Sequence, residues 1–156
     1  MELSLSTAEK FKLKALPEFT GLPEEDDSEY PLIVISAKSR YYLLSSYRWV
    51  KRLREKRPHP VVEIHPRTAA QYGIGEGDEV LIETKYGAIT QRARVTDIVH
   101  PRVVSAALGW WFPEGDPASQ YEWRKSNFNM LTSAGKLGRE FGTPNLKNLP
   151  CRVRKV

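Results

Sequence analysis

The stretch "VVEIHPRTAAQYGIGEGDEVLIETKYG", residues 61–87, decides how the fold is read. "VVEIHP" is β-branched and apolar and predicts a strand. "PRTAAQYGI" (66–74) predicts one or two helical turns, with proline at the start and Gly73 just past the end. Proline suits the first turn, and glycine the left-handed position that closes a helix. Gly75 and Gly77 then suit backbone positions with positive φ, and Asp78 can hydrogen-bond its own turn. "EVLIET" and "AITQRARV" are strands joined through "KYG", a hairpin signal carrying Gly87.

Upstream, "PLIVIS" (31–36) has the pattern of a buried strand. "SAKSRYYLLSSYRWVKRLREKR" follows as a polar loop whose later part, 43–57, is partly helical and stopped by Pro58 and Pro60. Downstream, "RVVSAALGWW" predicts a strand that ends at Trp110 and Trp111. Residues 112–150 are mostly loop, broken by "GDP", "SAGKLG" and "GTPNLKNLP", and "CRVRKV" closes the sheet. About six strands and few helical turns make the chain mostly β. Their uneven spacing supports a small closed barrel or a sandwich.

Residues 1–16 carry only a weak amphipathic signal. Residues 17–30, "PEFTGLPEEDDSEY", hold two prolines, a glycine and six acids, and predict an exposed linker. We therefore divide the chain into a linker over 1–27, reached from something upstream, and a domain over 28–156. The 156 residues suit one domain. No run approaches the roughly 18 apolar residues of a membrane span, and the N-terminus lacks a signal-peptide core. The isolated chain is expected to be soluble.

The net charge is +5 and the isoelectric point about 9.3. The excess is local: Lys38, Arg40, Arg48, Lys51, Arg52, Arg54, Lys56 and Arg57 stand against Glu55 alone within 38–57. Such a field suits a phosphate, a nucleotide or an acidic surface, and equally a solvated helix face. Cys151 is the one cysteine, so no internal disulfide forms, and it reads as a small buried hydrophobe. His59, His65 and His100 each neighbour a proline and read as turn or surface residues. No metal-ligand spacing, nucleophile elbow or P-loop is present. "GIGEGD" leads into a strand rather than opening a helix, so it is a tight turn and not a phosphate loop.

Three polar segments follow strand or loop breaks: 36–40 continuing to 43–48, 108–114, and 126–132. If a barrel brings them to one end they form a pocket. Asn and Ser read heterocycle edges, Lys38 and Arg40 meet phosphate, and a Trp offers a flat wall. Two adjacent tryptophans cannot enter one core from a strand, because neighbouring side chains point to opposite faces.

Read in order, "PLIVISAKSRYYLLSSYR", "VVEIHPRTAAQYGIGEGDEVLIETKYG", "VVSAALGWWFPE", "SNFNMLT" and "LPCRV" resemble the C-terminal molybdopterin-dinucleotide-binding domain of the dimethyl-sulfoxide-reductase superfamily of molybdenum and tungsten oxidoreductases. The resemblance runs from about residue 28 to the C-terminus. It implies a six-stranded double-psi β-barrel with short helices and long loops. It implies that the domain helps to hold a bis(molybdopterin guanine dinucleotide) cofactor within a larger enzyme, with none expected on the isolated chain. Ser36, Ala37, Lys38 and Arg40 would contact the dinucleotide, and Ser45, Ser46 and Arg48 would lie near the second pterin. Gly109, Trp110 and Trp111 would sit in the interface region, and Asn127 and Asn129 on a pterin-binding loop. The metal ligand would lie in earlier domains of the same large subunit, so no residue of this chain is expected to be catalytic or to bind metal. An iron–sulfur electron-transfer subunit would be a further partner. The compartment, cytoplasmic or exported, is left open.

Two positions depart from the family pattern. Its usual "T-G-R" is here Ser36-Ala37-Lys38 or Ala37-Lys38-Ser39, which replaces an arginine fork by a point charge. Its common "H-S" is Leu44-Ser45, which removes an imidazole. These departures motivate a second reading, a docking module that has lost cofactor binding. A third, a single-stranded nucleic-acid binder, fits the basic and aromatic residues. Against it stand the absence of an RNA-recognition motif and the acids Glu114, Asp116 and Glu122 around the aromatics.

Overall fold

Strict alternation of inward and outward side chains builds each strand. In β1 (Leu32–Ala37), Leu32, Val34 and Ser36 are buried while Ile33, Ile35 and Ala37 are partly exposed. The same alternation runs through β2 (Val61–Ile64), β3 (Glu79–Thr84), most of β4 (Gly87–Val95), and β6 (Leu149–Lys155). Only β5 (Val103–Ala107) is buried over consecutive residues, from Val104 to Ala106. The computed structural model describes residues 9, 10, 12, 29–135, 137 and 143–156, so the linker expected over 1–27 lies almost wholly outside the described residues.

The strands close into a barrel in the order β1-β5-β2-β4-β3-β6. β5 is inserted between β1 and β2, parallel to the first and antiparallel to the second. β2 is inserted between β4 and β5, parallel to the first and antiparallel to the second. Each arrangement is a ψ motif, two antiparallel strands with a third between them, and the two interlock. The fold is a double-psi β-barrel. Its interior is filled by Val34, Val62, Ile64, Val80, Ile82 and Val104, and Phe128 and Leu131 join the same core. Cys151 is fully buried there, and burial pushes its thiol well above the usual range.

The short elements follow the punctuation in the sequence. Helix α1 (Lys51–Lys56) starts after the loop and ends before Pro58; it buries no residue and has Arg54 and Lys56 in its last turn. Helix α2 (Pro66–Gln71) carries proline in its first turn. Three 3-10 turns, Pro117–Ser119, Trp123–Lys125 and Phe128–Leu131, punctuate the long loop.

Three local expectations change. Gly77 has φ +81° as expected, but Gly75 does not take positive φ; its N–H instead donates to Asp78 Oδ2 at 2.7 Å. Gly87 pairs with Thr84 inside the ladder, leaving Lys85-Tyr86 as the hairpin loop. Glycine is required there by contact, since a Cβ would stand 2.5 Å from the Met130 carbonyl oxygen. Finally, β5 ends at Ala107 and not at the tryptophans. Gly109 takes φ +67° just beyond it, so Trp110 and Trp111 stand on a loop.

Candidate functional site

β1 and β5 run parallel and finish together, with Ala37 opposite Ala107. The Leu108 N–H donates to the Ala37 carbonyl at 2.8 Å. The polar segment after β1 and the aromatic segment after β5 both leave the barrel at this rim.

Arg48 fastens the loop after β1 to the loop after β5. Its Nη2 donates to the carbonyls of Leu44, Leu108 and Gly109 at 3.0, 3.2 and 3.2 Å. Its guanidinium carbon lies 4.0 Å from the Tyr42 ring centre and 4.1 Å from that of Trp110. The residue is 1% exposed, and burial lowers its pKa to about 10. Trp111 fastens the same loops from outside, its indole N–H donating to the Ser45 carbonyl at 2.6 Å. A Cβ on Gly109 would meet the Leu44–Ser45 backbone at 3.1 Å, so only glycine lets the loops approach this closely.

The third segment is held by Gln91. Its Oε1 accepts from the Ala107 N–H at 2.8 Å, and its Nε2 donates to the Ala107 and Ser126 carbonyls at 3.0 and 3.2 Å. The Ser126 hydroxyl donates to the Thr90 carbonyl at 2.9 Å. Asn127 Nδ2 then donates to the Trp110 carbonyl at 3.3 Å, and its Oδ1 accepts from the Asn129 N–H at 3.1 Å. The three predicted segments therefore meet: 126–132 touches 108–114, which touches 43–48.

The individual residues divide into two groups. Ala37, Lys38, Arg40, Ser45, Ser46, Gly109, Trp111, Asn127 and Asn129 lie on the rim with partial or full exposure. Neither Lys38 nor Arg40 forms an ion pair among the described residues. Ser36, Arg48 and Trp110 do not present themselves as expected. Ser36 faces the barrel interior at 6% exposure, because its position in β1 has inward parity. Arg48 and Trp110 are each 1% exposed and pack on one another, since the turn at Gly109 directs the first indole inward and the second outward. Of the two tryptophans expected in the interface region, Trp110 is therefore buried within the domain.

Outside the rim, rings continue across the surface. Tyr47, Trp49, Trp111 and Tyr121 follow one another at 6.0, 5.9 and 5.5 Å between centroids. Leu43, Leu44, Tyr47 and Trp49 are exposed beside them. Backbone strain gathers here. Leu44 and Tyr47 take φ +52° and +68°, and Gln120, Tyr121 and Glu122 take +55°, +58° and +52°. Non-glycine residues in this region store energy that the surroundings must offset, and they cluster at ligand clamps.

On the barrel flank beside the rim lies a pocket of about 90 Å³ over β1, β5 and β2, walled by Lys38, Arg57, His59, Glu63, Ser105 and Trp110. Burial, then the charges of Arg92 and Arg54, hold the His59 pKa below its ordinary value.

Gln91, Ser126, Tyr42, Arg57 and His59 are absent from the sequence-based set. Gln91 was readable: it shares parity with Ile89 and Ala93 in β4, so it is a polar residue at an inward position. The others depend on loops meeting across the fold.

The sequence family described as "Molydopterin dinucleotide binding domain" matches residues 32–150. A dopamine dehydroxylase of Eggerthella lenta is 35% identical over 147 residues, 90% of this chain and 14% of that protein. A periplasmic nitrate reductase of Desulfovibrio desulfuricans is 31% identical over 138 residues, 87% of this chain and 16% of that protein. Among solved structures, acetylene hydratase from Pelobacter acetylenicus superimposes with a TM-score of 0.85 at 26% identity, over 96% of this chain and 22% of that one. The chain spans about a seventh of the length of the curated relatives it matches.

Proposed function

The chain belongs to the molybdopterin dinucleotide-binding domain family of molybdenum oxidoreductases, and on that premise we propose that its rim grips a guanine dinucleotide form of the cofactor. One observation supports this most: three separated segments, at 37–48, 108–114 and 126–132, are bound to one another by Arg48, Trp111 and Asn127. The rim's donor set fits the group. Lys38 and Arg40 are cations without ion-pair partners among the described residues, for phosphate oxygens. Ser45, Ser46 and Asn129 offer hydroxyl and amide groups for ring edges. Asn127 supplies backbone shape more than a free amide, since both ends of its side chain are engaged. Arg48, Trp110 and Gln91 are positioning residues. They hold loops in place without facing the ligand.

When bound, the cofactor supplies the redox chemistry through its metal, and the protein supplies binding and orientation. The exposed ring series from Tyr47 to Tyr121, with Leu43 and Leu44, suits contact with the catalytic domains of a larger subunit. An iron–sulfur electron-transfer subunit is the further partner of that assembly.

Guanosine monophosphate added to the isotopically labelled chain tests the reading. At about 1 mM ligand, where a contact worth roughly 4 kcal/mol is half saturated, amide shifts confined to 36–48, 108–114 and 126–132 are expected. Shifts spread over β3 and β6, or none on a folded chain, overturn it.

A further inference from the structure

Strand β1 is unevenly flanked. β5 pairs with it from Ile33 to Ala37, whereas β6, which begins at Leu149, pairs only with Leu32, Ile33 and Val34. The end of β1 therefore has no strand on its β6 side, and backbone groups there need other partners. The segment just before β6 supplies them. The Leu146 carbonyl accepts from the Ser36 N–H at 3.0 Å, and Lys147 Nζ donates to the Ser36 carbonyl. A lysine ammonium thus stands where a neighbouring strand would offer a backbone N–H, and a charged donor makes the stronger bond.

Lys147 is set in place by its neighbours. Its N–H donates to Asn145 Oδ1 at 3.0 Å. Asn148 takes φ +56°, a left-handed conformation that asparagine accepts more readily than most residues, and so turns the chain into β6. Leu146 packs on the core. Across the same exit, the Leu108 N–H holds the Ala37 carbonyl at 2.8 Å. Lys38, Ser39 and Arg40 leave the barrel from between these two holds, in a turn where the Tyr41 N–H donates to Ser39 Oγ at 3.2 Å.

We propose that Lys147 is a positioning residue of the rim, and that 143–148 is a fourth rim segment beside the three already described. The stretch 37–48 is then fastened at both ends. Arg48 ties one end to the loop after β5, and Lys147 ties the other at Ser36. Lys147 acts through the backbone it holds and does not itself face the ligand. Its effect on binding rests on the rim reading above; its effect on the backbone at 37–40 rests on the Ser36 contacts alone.

Lys147→Met tests this, since it keeps the aliphatic stem and removes the donor. Backbone NMR relaxation of the labelled, ligand-free chain is read first. Order parameters at 37–40 are expected to fall from the roughly 0.85 of rigid backbone towards about 0.6, while those at Asn127 and Asn129 hold. The midpoint for guanosine monophosphate on the folded variant is expected to weaken roughly tenfold, the loss of one charge-assisted hydrogen bond. Lys147→Arg keeps a charged donor and is expected to restore both. A contact that only stabilises the fold would lower the melting temperature and leave order and midpoint as they were. Unaltered order at 37–40 in Lys147→Met therefore overturns the proposal. So does a parent chain that binds the nucleotide with the same midpoint as the variant. If the parent chain takes no nucleotide while 37–40 loses order in the variant, the rim reading fails and the positioning role stands.

Discussion

The β3–β4–β6 side of the barrel and the rim above β1 and β5 are built from the same chain by opposite means. On the first side every ladder is regular, and two of its surface carboxylates are paired: Glu83 Oε2 accepts from Arg152 Nε at 2.9 Å, and Asp78 Oδ2 meets Lys155 Nζ at 2.8 Å. On the rim, five non-glycine residues at 44, 47 and 120–122 take left-handed backbone. Among the described residues, buried donors there lack acceptors, and Lys38 and Arg40 form no ion pair. The satisfied side needs nothing further. The strained, donor-rich side is where we propose binding.

Truncating the satisfied side gives the largest effect. Ile82→Ala removes a fully buried side chain between β4 and β6, at a cost of about 2–5 kcal/mol. Thermal or denaturant unfolding reads this, while the folded fraction keeps its nucleotide-induced shifts at the rim. Loss of those shifts in the folded fraction erases the distinction between the two sides.

Gln91→Leu comes next. It keeps the volume but leaves the Ala107 N–H and the Ala107 and Ser126 carbonyls without their partner. A destabilisation of about 2–3 kcal/mol is expected, together with faster amide exchange in 126–132 and weaker nucleotide binding. Unchanged exchange in that segment denies Gln91 its positioning role.

The smallest effect belongs to Asp78→Asn. The hydrogen bond from Lys155, then that from the Gly75 N–H, holds the Asp78 carboxyl below its ordinary value of 3.8. A depressed folded pKa gives stability that is present above about pH 4 and is lost as pH falls through the folded value. The variant is therefore expected to be slightly less stable at neutral pH, with the difference from the parent chain vanishing in acid. A difference that persists at pH 2 removes the ionic origin.

Much of the barrel was legible because its strands are short apolar runs punctuated by proline and glycine. "PLIVIS", "VVEIHP" and "EVLIET" each fall on an observed strand, and Pro66 opens α2. The rim was legible as a set of segments and not as a set of side-chain directions. Trp110 and Trp111 were read as the end of a strand, but β5 ends at Ala107 and a left-handed Gly109 turns the first indole inward. Ser36 was read as the end of a strand and as a ligand contact; it does belong to β1, but its side chain faces inward. Tyr42 and Arg57, joined by a hydrogen bond from the Tyr42 hydroxyl to the Arg57 carbonyl at 2.8 Å, carried no local signal.

Local periodicity and turn chemistry by themselves determined the strands and the excess of cations before β2, because both depend on near neighbours in the chain. The order in which six strands close, and which of two adjacent indoles is covered, were decided only in three dimensions. Those outcomes come from contacts across 60 or so positions, such as Arg48 with Leu108, where packing and hydrogen bonding override the preferences of any short stretch.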